Sequence, residues 1–208
     1  MLKRARIAVL VSGGGTNLQA LLDAQHAGKL PHGEIVLVIA SNEQAYACKR
    51  AEQAGVPAYV LDAAALGGQA AFEQRLSALL SEQKIDLIIL AGFLTILSAG
   101  FTAKWPRRIL NIHPSLIPAF CGKGMYGLHV HEAALARGVK VTGATVHFVN
   151  EIPDGGEILL QRAVEVRSDD TPQSLQRRVM EQAEWQLLPL AAEMVSLQLA
   201  GDEETKHD

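Results

Sequence analysis

The apolar positions of this chain follow two periodicities that alternate along its length. Residues 7–11 (Ile-Ala-Val-Leu-Val) form a short run that stops at glycines, and from Asn17 a helical pattern through Leu18, Leu21 and Leu22 runs to about Gly28. Short continuous apolar runs bounded by turn residues predict buried strands, and spacings of three and four predict one face of a helix. The alternation repeats, with strands predicted at 35–40, 58–61 and 86–91 and helices at 44–54 and 69–83. Buried strands with helices between them imply right-handed crossovers and a parallel sheet covered on both faces. The predicted class is therefore α/β, with a doubly wound, mostly parallel sheet.

The second half changes character. Residues 109–112 add a further parallel strand and 129–137 a helix, while 141–149 and 158–166 are two long strand-like segments joined by 150–157, a spacing that predicts a C-terminal β-hairpin. A long C-terminal helix over 171–199 carries Leu175, Val179, Leu187, Leu190, Met194 and Leu197 on its apolar positions. Thr171-Pro172 is a favourable opening for it, and Pro189 predicts a kink. No linker or repeat interrupts the pattern, so residues 1–200 are expected to form a single domain and the charged stretch 201–208 a disordered tail.

Composition narrows the function classes. The chain has 208 residues, 49% hydrophobic and 20% charged, with 19 basic and 22 acidic side chains interspersed for a net charge of −3. No basic block offers a nucleic-acid footprint. Cys48 and Cys121 form no paired motif, so neither a disulfide framework nor a zinc site is expected. The apolar run after the basic N-terminus is too short for a signal core or a membrane span. The expectation is a cytoplasmic protein acting on small molecules, without a metal, nucleic acid or membrane, as a monomer or homodimer.

Three segments carry candidate chemistry. In Asn111-Ile112-His113-Pro114-Ser115-Leu116-Ile117-Pro118, an extended backbone projects Asn111 and His113 to one face and Leu110 and Ile112 to the other. Pro114 ends ordinary pairing and holds His113 extended at the strand's mouth, where open α/β sheets bind ligands. The second segment, Asp154-Gly155-Gly156, brings a carboxylate on a turn. In the third, Ser12-Gly13-Gly14-Gly15-Thr16-Asn17, glycines at a helix N-terminus suit an anion, although a tight turn that merely needs glycines is as good a reading. The loop is neither a Walker motif nor a dinucleotide fingerprint. Ser115 lacks a nucleophile elbow. His129 and His131 lack a third metal ligand. His147 reads as a packed structural histidine, and His26, His32 and His207 as surface residues.

These segments, with Asn17-Leu18-Gln19-Ala20 after the glycines, resemble the phosphoribosylglycinamide formyltransferase family from about residue 7 to 189. The resemblance implies a Rossmann-like formyltransferase fold and transfer of a formyl group from 10-formyltetrahydrofolate to the amine of 5′-phosphoribosylglycinamide in purine biosynthesis. It assigns the substrate phosphate to Gly15, Thr16 and Asn17, and the sugar hydroxyls to Glu184. It places the folate against Phe93, Leu94, Thr95, Ile96, Leu97, Asn111, Val149 and Asp154, and gives His129 and Ser115 supporting roles. Gln69 and Thr95 stand where family members often carry arginines. Amine attack on a formyl carbon needs an oriented amine, an oxyanion donor and a proton path. Asn111 and His113 are expected to stabilise the oxyanion, His113 provided that it is protonated, a form that a nearby carboxylate favours, and Asp154 to assist proton transfer; the sequence leaves the ionisation state of His113 open. The glycine-containing loop 118–128, with Phe120, Met125 and Tyr126, has the composition of a lid over the cofactor, with Lys123 facing its glutamyl tail. Rival readings are formyltetrahydrofolate hydrolysis, formylation of methionyl-tRNA, each expected to need an extra domain, and a non-catalytic nucleotide-binding module.

Overall fold

The computed structural model describes residues 4–204, with side chains described through Gly201. Seven strands make one sheet: β1 (Ala5–Val11), β2 (Gly33–Ala40), β3 (Ala58–Val60), β4 (Leu87–Leu90), β5 (Ile109–His113), β6 (Val141–Phe148) and β7 (Ile158–Glu165), in the order β3-β2-β1-β4-β5-β6-β7. The first five are parallel; β6 pairs antiparallel with β5 and β7 antiparallel with β6. Around them lie α1 (Thr16–His26), α2 (Ala47–Gln53), α3 (Gln69–Glu82), α4 (Ala99–Thr102), α5 (Leu128–Arg137), α6 (Pro172–Val179) and α7 (Trp185–Glu204).

Period-two alternation divides the core. Ile7, Val9 and Val11 of β1 pack with Leu18 and Leu21 of α1, Ala47 and Ala51 of α2, and Leu187 and Leu188 of α7. Ala8 and Leu10 face the opposite layer, with Phe72, Leu76 and Leu80 of α3 and Phe101 of α4. Burying a Leu or Phe side chain contributes roughly 1.5–3 kcal/mol, so these two layers are the main stabilising term. They make β1 apolar on both faces, as the sequence pattern requires.

The chain runs outward from β1 through β2 and β3, then crosses back to β4 on the other side of β1. The crevice at the C-terminal ends of β1 and β4 is thus the topological switch point, the usual ligand position in such sheets. Two loops meet there: Ser12 donates its N–H to Gly92 O (3.1 Å), and Leu94 N–H donates to Ser12 Oγ (2.9 Å).

The C-terminal helix departs from expectation. It is not one rod kinked at Pro189; a π-helical turn at Met180–Glu184 separates α6 from α7, and α7 passes through Pro189 unbroken. Such turns interrupt the i to i+4 ladder and are frequent at functional sites. The opening is as expected: Thr171 Oγ1 accepts from Ser174 N (3.1 Å) and Ser174 Oγ from Thr171 N (2.9 Å), with Pro172 following the cap. Helix α7 continues to Glu204; residues 1–3 and 205–208, His207 among them, lie outside the described residues. His32, read as a surface residue, is half-buried with Nδ1 2.5 Å from Glu193. The four-residue α4 was too short for any periodicity to reveal; Ser98 caps it by accepting from Phe101 N (3.2 Å). Among the described residues no helix is long and apolar enough to cross a membrane.

Candidate active site

Strand β5 ends as the sequence predicts, with half-buried Asn111 and buried His113 on one face. The antiparallel pairing sets Asn111 opposite His147 and His113 opposite Thr145. Asn111 Nδ2 lies 3.0 Å from His147 Nε2 and 3.4 Å from Asp154 Oδ1. Asp154 completes the cluster: its Oδ2 is 3.5 Å from His113 Nδ1 and its Oδ1 is 3.5 Å from His147 Nε2. The three residues predicted to meet do so, and His147, read as structural, is a fourth member. A signal existed in the sequence, since antiparallel pairing of β5 with the strand containing Ala144-Thr145-Val146-His147 sets this histidine beside Asn111. The β6–β7 register slips between Val146 and His147, a local irregularity of the kind that re-aims side chains beside active sites.

The turn carrying Asp154 is braced from several directions. Asn150 Oδ1 accepts from Ile152 N (2.9 Å), and Phe148 N–H donates to Glu157 O (2.8 Å). A Cβ on Gly156 would fall 1.7 Å from Phe148 O, so only glycine lets the chain pass there. Asp154 itself has φ 55°, a left-handed conformation that aspartate tolerates better than most residues. Arg107 stacks on the Phe148 ring at 4.3 Å and pairs with Glu157.

The loop expected to be a mobile lid is latched to the cluster by main-chain atoms. Phe120 O lies 2.9 Å from His113 Nε2, and Gly122 N–H donates to Asp154 Oδ2 (2.8 Å). The first contact places the Nε2 proton of His113 on a carbonyl and leaves Nδ1 facing Asp154. Lys123 is exposed at the loop's outer edge. Ser115 is fully buried and donates to Ala119 O (2.5 Å), while its own carbonyl accepts from Thr145 Oγ1 (2.7 Å); its part is to shape this loop.

Burial pushes the His113 imidazole below its ordinary value, outweighing Asp154 and the Phe120 carbonyl, which push it up; His147 also pushes it down. The balance favours the neutral imidazole, on a point the sequence leaves open. Burial would raise the Asp154 carboxyl, but the neighbouring His147 imidazole, the hydrogen bond from Gly122 N–H and the nearby His113 hold it below the usual carboxylate range. His131 on α5 is 1% exposed and pushed down to about 4 by burial and by His113, with its Nδ1 unpartnered. His129, given a supporting role by the resemblance, is exposed at the start of α5, edge-on to Tyr126 at 5.5 Å and with Nδ1 3.3 Å from Glu132 Oε2.

At the other end of the crevice, Gly15, Thr16 and Asn17 turn into α1. Asn17 Nδ2 donates to Glu184 Oε2 (2.7 Å), a buried contact across 167 positions of sequence. Glu184 closes the π-helical turn and is 6% exposed, not a solvated helix charge; burial raises its carboxyl to about 7, with Asn17 opposing. Beside the Asn–His–Asp cluster lies a cleft of about 110 Å³, lined by Phe93, Leu94, Thr95, Ile96, Leu97, Asn111, His147, Val149 and the 150–154 turn. All eight positions expected to hold the folate border it. Gln69 braces its outer wall by donating to Ile96 O (2.8 Å) and Glu73 Oε1 (2.6 Å), and does not reach the glycine loop. A larger cleft of about 820 Å³ opens between α1 and α7, away from the Asn–His–Asp cluster.

The profile of the formyl transferase family matches residues 5–192. The chain belongs to the formyl transferase family. Among its relatives, the phosphoribosylglycinamide formyltransferase of Haemophilus influenzae is 40% identical over 185 residues, covering 89% of this chain and 84% of that protein. The trifunctional purine biosynthetic protein adenosine-3 of Bos taurus is 44% identical over 93% of this chain, which spans 18% of that protein's length. Among solved structures, this formyl transferase is similar to glycinamide ribonucleotide transformylase 1 from Symbiobacterium toebii, with a TM-score of 0.87 and 42% identity, covering 94% of this chain and 89% of that one. It is also similar to a formyltetrahydrofolate deformylase from Pseudomonas syringae, with a TM-score of 0.84 at 25% identity, covering 94% of this chain and 62% of that one.

Proposed function

We propose that this formyl transferase moves the formyl group of 10-formyltetrahydrofolate to the primary amine of 5′-phosphoribosylglycinamide, in purine biosynthesis, by direct amine attack within one domain. The observation that carries the reading is the convergence of Asn111, His113 and Asp154 beside a small cleft, one wall of which, at Leu94, is hydrogen-bonded to the start of a glycine loop at a helix N-terminus. The names of the relatives support the same substrates.

The residues fit those substrates. Adding a Cβ at Gly13 or Gly14 meets no protein atom within 4 Å. Nothing in the fold requires glycine at these two positions, whereas a phosphate approaching the backbone does. Glu184 and Asn17 form a buried polar pair suited to sugar hydroxyls, and Asn17 Oδ1 is buried without a partner. Phe93, Leu97 and Val149 give the small cleft apolar walls for the edge of a flat heterocycle. The exposed Leu94, Ile96 and Ile152 give the remainder of such a molecule an apolar surface to lie on.

Each catalytic group has one task. Asn111 gives up its long 3.4 Å contact with Asp154 and donates that N–H to the formyl oxygen as negative charge develops. His113, neutral and with Nε2–H engaged by Phe120 O, has Nδ1 open to accept a proton. Asp154, held ionised, orients that imidazole and stabilises the cation it becomes. The His113–Asp154 pair thus receives the proton lost by the attacking nitrogen and delivers one to the leaving nitrogen, so that the C–N bond to the amine forms and the bond to the folate nitrogen breaks without a covalent enzyme intermediate. The test is an absorbance assay of formyl-folate consumption with and without the ribosylglycinamide. Strict dependence on the amine is expected; turnover without it would make the protein a hydrolase, and none with either would leave a binding module.

A further inference from the structure

We propose that Arg50 is a positioning residue for the glycine loop, holding its peptide planes so that consecutive N–H groups face an anion. The proposal rests on the reading of this loop as the phosphate site. In a trans peptide the carbonyl and the following N–H point in opposite directions. Gly13 O accepts from Ala47 N (3.2 Å) and Gly14 O accepts from Arg50 Nε (2.8 Å), so both carbonyls are pinned against α2. The N–H groups of Gly14 and Gly15 therefore point away from α2, and among the described residues neither has a protein acceptor. Successive N–H groups so exposed form an anion-binding concavity.

The alternative is a flipped peptide. Gly13 and Gly14 have no side chains to resist rotation, and turning either plane over would present a carbonyl lone pair to the phosphate instead of a donor. An external group must select the productive orientation, and Arg50 is held rigidly enough to do so. Its Nη1 donates to Gln19 Oε1 on α1 (2.9 Å), and its guanidinium lies 5.2 Å from the centre of the Tyr46 ring. The loop is also seated sterically, since a Cβ on Gly15 would fall 2.7 Å from Ala47 Cβ. A lysine at this position keeps the charge but loses the planar fork that spans Gly14 O and Gln19.

The test compares kcat/KM for ribosylglycinamide with and without its 5′-phosphate, in the wild type, R50K and R50A. The expected result is that R50A lowers the preference for the phosphorylated amine by about ten- to a hundredfold, the worth of one charge-assisted hydrogen bond, with R50K intermediate. Inorganic phosphate should compete with the amine in the wild type and correspondingly less in R50A. An unchanged preference in R50A overturns the proposal, and if R50A does not fold, an unchanged preference in R50K does the same. A wild type indifferent to the 5′-phosphate and to inorganic phosphate would instead overturn the reading of the loop as a phosphate site.

Discussion

Asn111 and His147 face each other across the antiparallel β5–β6 pair, Nδ2 of one 3.0 Å from Nε2 of the other. His147 Nδ1 lies 2.9 Å from Phe148 O, which places its proton there and leaves Nε2 as a bare acceptor. The histidine thereby fixes which end of the Asn111 carboxamide is the donor. His147→Ala should lower kcat by about ten- to a hundredfold with a much smaller effect on either KM, because a misoriented amide costs transition-state stabilisation. Steady-state kinetics with each substrate varied would check this; a change in KM alone would assign His147 to binding.

His113→Ala and Asp154→Asn should reduce kcat by about a hundred- to a thousandfold, with smaller changes in KM. The two effects should fall well short of additive in the double variant, since both residues serve one proton path. Pre-steady-state measurement of formyl transfer separates this loss from slower product release.

On the proposed phosphate role of the loop, its glycines should divide by cause. Gly14→Ala meets open space and should leave the melting temperature nearly unchanged while raising KM for the phosphorylated amine. Gly15→Ala combines a φ of 70° with overlap against Ala47 and should cost about 1–3 kcal/mol of stability. Parallel thermal melts and KM determinations distinguish the two.

Glu184 should make stability depend on pH. Its carboxyl is raised from 4.5 to about 7, so between those values the folded state retains a proton that the unfolded chain releases. Stability therefore falls as pH rises through that window, and the deficit is complete above it. Glu184→Gln, which can still accept from Asn17, should be more stable than the wild type at pH 8 by on the order of 1–3 kcal/mol and similar to it near pH 4.5. Equal melting temperatures at pH 8 would show that the carboxylate is not buried at a cost.

The parallel half of the sheet was legible because each of its strands is a short apolar run bounded by turn residues, a local signal. The hairpin and the convergence of Asn111 and His113 followed from the period of two. His147 escaped because its role depends on which strand pairs with which, and an alternating strand of apolar and polar residues looks alike whether or not its polar face meets another. Glu184 was ambiguous for a similar reason: helix periodicity does not reveal that a π-helical turn delivers it to Asn17. The protonation of His113 was not legible because a neighbouring charge can be inferred from sequence, whereas the extent of desolvation opposing it depends on packing.

The segment after Pro118 holds His113 and Asp154 by hydrogen bonds from its peptide groups, the carbonyl of residue 120 and the amide of residue 122. Most side-chain replacements along this stretch should therefore leave these two contacts intact, whereas lengthening or shortening it by a single residue before position 122 would slide at least one of those groups out of reach. The catalyst depends there on the spacing of its chain more than on the letters that fill it.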